Sequence, residues 1–321
     1  MIQLLGDYRT NPGSVFRSNA AIGGLAWIAT WALLRPELVV MILLFAPLVC
    51  VPLGLTLLVD RKEGQVSRIW SLLTLAQPFG AAWLIGAFVV PSGWLAAVLT
   101  VPWLLVTLIS AFLGVQLLVS ERLKSPSALS MAAGMIYLAI GGGWTLLARF
   151  GARPLEFSDI IVLLTGVHFH YAGFALPVLT GLAGQALRDR ISRLAIFGVV
   201  SGVPLVAMGI TVGRWAPLFE AFAALWMMSA SFLVVILQGR LAVRTYSTSR
   251  QCLFLLSALS LLAGMILAGV YSVKSYYGQP WLEVDTMIVW HGSINSFGFT
   301  LLGLLAWTVV SSKAAADKDS G

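Results

Sequence analysis

The chain has 321 residues, of which 59% are hydrophobic and only 10% charged. An ordinary soluble domain is about 25% charged, so this sequence cannot cover a soluble core of its size and reads as a polytopic membrane protein. The formal charge of +7 is not gathered into a basic arm or an RNA-binding motif, which argues against a nucleic-acid partner, and the two cysteines, Cys50 and Cys252, build neither a disulfide framework nor a CxxC metal pair.

The opening stretch, MIQLLGDYRTNPGSVFRSNA, is mixed and polar and lacks the apolar core of a cleavable signal peptide. A spanning helix needs about 20 apolar residues. Reading onward, candidates fall at 19–34, 37–59, 68–89, 93–119, 127–148, 158–182, 192–213, 216–238, 250–272 and 285–311. The first is the shortest. No stretch is left for a separate soluble domain, so residues 1–321 are expected to form one integral membrane domain. The fold class is all-α, a polytopic transmembrane helix bundle of about ten spans. Pro47, Pro52, Pro78, Pro102, Pro177 and Pro204 fall inside spans, where neighbouring helices can re-satisfy the freed backbone groups.

Lys and Arg divide unevenly between the two sides. Arg9, Arg17, Arg61, Lys62, Arg68, Arg122, Lys124, Arg188, Arg190, Arg193, Arg240, Arg244, Arg250, Lys313 and Lys318 make fifteen on the side of the termini. Arg35, Arg149, Arg153, Arg214 and Lys274 make five on the other. That bias predicts cytoplasmic termini. Trp144, Trp215, Trp281 and Trp290 are expected at the interfaces.

All three histidines lie in two segments, TGVHFHYAGFALP at 165–177 and HGSINSFGF at 291–299. Ionisable groups at membrane depth are expensive and usually mark a site. His168 lies about 15 Å into its span at 1.5 Å per residue. His291 lies about six residues into the last span, and Asn295 is at nearly the depth of His168. His170 shares a stripe with Gly166, Gly173, Pro177 and Gly181, whereas His168 points about 200° away, so one unbroken helix cannot turn both rings to one metal. His291, Asn295 and Gly298 form a stripe of their own. The structural alternative is that these groups only bond helices together. Gln77, beside Pro78, and Glu220, at the start of its span, carry weaker polar signals.

HFHYAGFALP at 168–177 and HGSINSFGF at 291–299 resemble the YndJ-like family of bacterial integral membrane proteins. The resemblance implies a multi-pass protein of the bacterial inner membrane. It brings no reaction and no catalytic residue with it.

Chemistry must therefore come from the residues. The first expectation is an intramembrane enzyme acting on a hydrophobic lipid-like, isoprenoid or polyketide substrate by non-redox acid–base chemistry, as an isomerase, cyclase or hydrolase. The catalytic set would be His168, His170, Tyr171, His291 and Asn295, because imidazole titrates near working pH. Gly173, Gly298, Gln77 and Glu220 would line the substrate. The partners are membrane lipid and that substrate, with no cofactor required. A second reading is a small-molecule transporter or permease using the histidines as a relay. A third places haem or a metal on His168, His170 or His291.

Overall fold

The computed structural model describes residues 12–59, 67–121, 125–213, 215–278 and 282–308. Helices account for every regular element among them. We number them α1 (Pro12–Leu34), α2 (Leu38–Val59), α3 (Arg68–Val89), α4 (Trp94–Glu121), α5 (Pro126–Phe150), α6 (Asp159–Leu187), α7 (Arg190–Val212), α8 (Pro217–Arg244), α9 (Thr248–Tyr277) and α10 (Val284–Thr308). All but α1 are long and apolar enough to cross a membrane. The expected first span is thus a helix, but it starts at Pro12 and carries too many polar residues to qualify by hydropathy. It nevertheless lies against the full length of α2. Thr56 donates to the Gly13 carbonyl at one end, and the Trp27 indole donates to the Met41 carbonyl at 2.8 Å at the other. Gly23 sits so close to the Leu48 carbonyl that any side chain there would collide with backbone.

Helices that follow one another pack side by side, as short connections require: α3 on α4, α4 on α5, α7 on α8 and α8 on α9. α2 is the buried centre. It is apolar on every face, and 89% of its spanning window is covered by protein. α6 is the next most enclosed. Leu33, Trp94 and Val243 are among the large apolar side chains left exposed on the outer helices, the surface a hydrocarbon layer would cover. Of the interface tryptophans, Trp215 and Trp290 are exposed and Trp144 packs near Phe157, while Trp281 lies outside the described residues.

Three helices are not uniform. α2 widens to a π-helix over Ala46–Cys50, α6 over Phe169–Ala175, and α10 over Ile288–Gly292 and Ile294–Leu301. The wide turns touch one another, so the irregular backbone is gathered at one locus where α2, α6 and α10 meet. Proline explains α2. The Ala46 N–H turns to the Leu43 carbonyl and Pro47 has no N–H, which leaves the Ile42 carbonyl without a donor from its own helix. The Tyr171 hydroxyl donates to it at 2.7 Å. One turn on, the Val51 N–H goes to Ala46 and Pro52 has none to offer, so the Pro47 carbonyl takes the Gln77 amide at 2.8 Å.

The α6–α7 corner is fixed by charge. The Asp189 carboxylate caps α7 by accepting the Ser192 N–H at 2.9 Å and pairs with Arg240 of α8 at 2.5 Å. The Ser192 N–H, and after it Arg240, hold the Asp189 carboxyl below the usual carboxylate range. A lowered folded-state value means stability that is present above the unfolded value, near pH 3.9, and is lost as pH falls through the folded one. Asp189→Asn should therefore lower the thermal midpoint in detergent at pH 7, and its deficit should shrink steadily below about pH 4. A deficit of equal size at both pH values would show that the charge of Asp189 is not what holds the corner.

Candidate functional site

The histidine segment of α6 divides into two environments. His170 is fully buried and faces α4 and α5. Its Nδ1 lies 2.7 Å from the Gly166 carbonyl, and the Trp103 indole N–H donates to its Nε2 at 3.0 Å. A carbonyl can only accept and an indole N–H can only donate, so the ring is neutral with its proton on Nδ1. Both nitrogens are then used. Gly141 of α5 makes room for it, because a Cβ there would lie 2.9 Å from Nδ1. The glycine stripe of α6 belongs to the same seam. Gly166 lies against Thr145, Gly173 against Phe169 and Tyr137, and Gly181 against Ser127 and Met131. These glycines let α5 and α6 approach closely.

Tyr171 is likewise committed, through its hydroxyl, to α2. Gln77 serves the Pro47 carbonyl. Glu220 is half-buried at the start of α8, packed over Gly209 of α7. Gly298 packs on Ser260 of α9, another close helix contact.

His168 points the other way and is exposed, in keeping with the phase difference expected from the sequence. Its ring lies against His291 of α10, with centroids 6.3 Å apart and 27° between the planes. His168 Nδ1 is 2.8 Å from the Leu164 carbonyl of its own helix. His291 Nδ1 is 2.8 Å from the Gly264 carbonyl of α9. Both acceptors are carbonyls, so both rings carry their proton on Nδ1 and keep an unused lone pair on Nε2. The Asn295 amide donates to the His291 carbonyl at 2.8 Å and lies 3.3 Å from His291 Nδ1. That second approach is a contact between two donors, since the Gly264 bond already claims the Nδ1 proton. Gly264 has no side chain because Asn295 occupies the space where one would stand.

Of the nine residues singled out in the sequence, the structure thus brings together His168, His291 and Asn295. It places His170, Tyr171, Gly173, Gln77 and Gly298 in helix seams, and Glu220 at the α7–α8 contact. Trp103, Gly141 and Gly264 were not foreseen. Nothing in a single sequence marks which glycine or tryptophan of an apolar run meets a histidine on another helix.

A metal-ligating histidine donates its second ring nitrogen to a carbonyl or carboxylate, and so does a neutral general base. The arrangement suits either. Among the described residues no group of three or more His, Cys, Asp or Glu is placed to share an ion.

The family model described as YndJ-like protein matches residues 41–299, a stretch that includes both histidine segments. The chain belongs to the YndJ-like family. It is also 29% identical over 238 residues to the uncharacterized membrane protein YndJ of Bacillus subtilis (strain 168). That match takes in 74% of this chain and 42% of the relative, so the chain spans less than half of the relative's length. No solved structure matches. The shared region runs from within α2 to within α10 and takes in wide turns of α2, α6 and α10.

The Trp103–His170 bond gives a direct test of the seam. Trp103→Phe and His170→Ala should be non-additive in unfolding free energy, with a coupling of about 0.6 to 1.7 kcal/mol, the range of hydrogen bonds between membrane helices. Trp103→Phe and His168→Ala should simply add. Unfolding in detergent, followed by tryptophan fluorescence or helix content, would measure both cycles.

Proposed function

We propose that the protein is a membrane-embedded enzyme that works by non-redox acid–base chemistry on a hydrophobic lipid-like, isoprenoid or polyketide substrate, as an isomerase, cyclase or hydrolase. One observation carries the reading. His168 and His291 face each other at 6.3 Å as neutral imidazoles, each with Nδ1 tied to a carbonyl and Nε2 uncommitted. A ring held in one tautomer with a free Nε2 is prepared to accept a proton, and a positioned group of this kind contributes roughly 10² to 10⁴-fold in rate. Asn295 orients His291 and has a second amide hydrogen with which to meet developing negative charge. His170 and Tyr171 act as positioning residues, holding α6 against α4, α5 and α2 so that His168 meets α10.

A transporter reading draws on the wide turns at one locus in α2, α6 and α10, since interrupted helices mark substrate sites in many carriers. Solute-dependent flux in proteoliposomes would favour it. A haem or metal would have His168 and His291 as its protein ligands, and the spectrum and metal content of the purified protein test that. The location that goes with the enzyme reading is the bacterial inner membrane, with both termini in the cytoplasm. The fifteen-to-five division of Lys and Arg supports that orientation. A reporter fused at Lys313 should be active only in its cytoplasmic form.

His168→Ala and His291→Ala should each abolish product formation, read as the lipid profile of producing cells, while leaving yield and monodispersity in detergent near normal. His170→Ala should first lower stability. Full activity in both folded site variants would end the acid–base reading.

A further inference from the structure

We infer that the group received by the His168–His291 pair is a neutral hydroxyl carried by an otherwise apolar molecule. The inference rests on the acid–base reading of the pair and names the chemistry of what it would act on.

The donor and acceptor inventory decides it. With Nδ1 of His168 donating to Leu164 and Nδ1 of His291 donating to Gly264, each ring presents a lone pair and no proton. A carbonyl, an ether, a carboxylate or a phosphate brings more lone pairs and finds no imidazole N–H to hold it. An anion would also be stripped of water with only the spare Asn295 N–H to replace it. A cation would be accepted by the lone pairs, but its charge would stand in an apolar bundle without compensation. Among the described residues, no acid joins the two rings in a cluster of three. A hydroxyl satisfies the pair without importing charge.

The two rings lie 6.3 Å apart, centre to centre, with 27° between their planes. An imidazole lone pair lies in the plane of its ring, so each Nε2 accepts at the ring edge, and one hydroxyl donates to one of them. The other Nε2 is left for a water or a second hydroxyl. The surroundings set the rest of the molecule. Ile42 of α2 approaches Gly292 to within 3.1 Å of a Cβ position, and Trp27, Phe45 and Phe297 form an edge-to-face cluster where α1 and α2 meet α10. These apolar neighbours of α10 would not solvate a charged molecule.

The test uses the full chain in phosphatidylcholine nanodiscs and needs no knowledge of turnover. Diethylpyrocarbonate acylates an imidazole nitrogen that bears a free lone pair, and peptide mass mapping reads each histidine separately. His168 and His291 should react and His170, with both nitrogens bonded, should not. Decanol should slow modification of His168 and His291 several-fold. Decyl methyl ether, which has the same chain and no O–H, and decanoate, which has the chain and a charge, should leave the rates unchanged. Equal protection by the ether, stronger protection by decanoate, or no protection by decanol would overturn the inference and leave the acid–base reading standing. Rings of His168 and His291 as unreactive as His170 in the absence of any probe would instead remove the free lone pairs, and the acid–base reading with them.

Discussion

A backbone carbonyl in hydrocarbon must find a donor within the protein, and much of this structure follows from that requirement. Pro47 and Pro52 remove donors from α2, and the helix answers with a wide turn and with side chains sent from other helices. Tyr171 of α6 serves Ile42, and Gln77 of α3 serves Pro47. Elsewhere Ser130 serves Pro177 at 2.7 Å, Ser257 serves Phe299 at 2.9 Å and Trp27 serves Met41. The buried polar side chains of the bundle are thus largely engaged with backbone. They join α2 to α1, α3 and α6, and α9 to α10, where apolar packing alone would not fix one register.

The histidines obey the same rule and then depart from it. All three give Nδ1 to a carbonyl. Only His170 has its Nε2 taken as well, by Trp103. A ring with both nitrogens bonded is structural, since protonation would set an N–H against the indole N–H. A ring with one nitrogen bonded and one free is oriented and chemically open. Two such rings on different helices, face to face, are what separates His168 and His291 from the remaining polar groups. They also lie on two of the helices whose backbone is irregular, where wide turns frequently accompany function.

Small residues make this geometry reachable. Gly141 opens α5 to His170, and Gly264 opens α9 to Asn295, while the Gly264 carbonyl takes His291 Nδ1. In the absence of a hydrophobic force between helices in lipid, close approach is the main source of association; a side chain at Gly141 would displace the His170 ring, and one at Gly264 would displace the Asn295 amide. The stripe of Gly166, Gly173 and Gly181 has this packing role towards α5, although in the sequence it reads equally well as space left for a ligand.

Composition and span length by themselves determined that the chain is a helical membrane bundle, because a sequence 59% hydrophobic and 10% charged belongs in a membrane, and continuous apolar runs of about 20 residues fit spanning helices and not the short alternating strands of a barrel. Helical phase also separated His168 from His170, since residues two apart on one helix point about 200° away from each other. The first helix was legible only in part: its polar residues hide it from hydropathy, and its place beside α2 depends on contacts such as Thr56 to Gly13. Only the tertiary structure decided which histidine is glue and which belongs to a site. That outcome turns on whether a partner from another helix reaches Nε2. Trp103 is 67 residues from His170 and Gly264 is 27 from His291, separations over which no local spacing carries information.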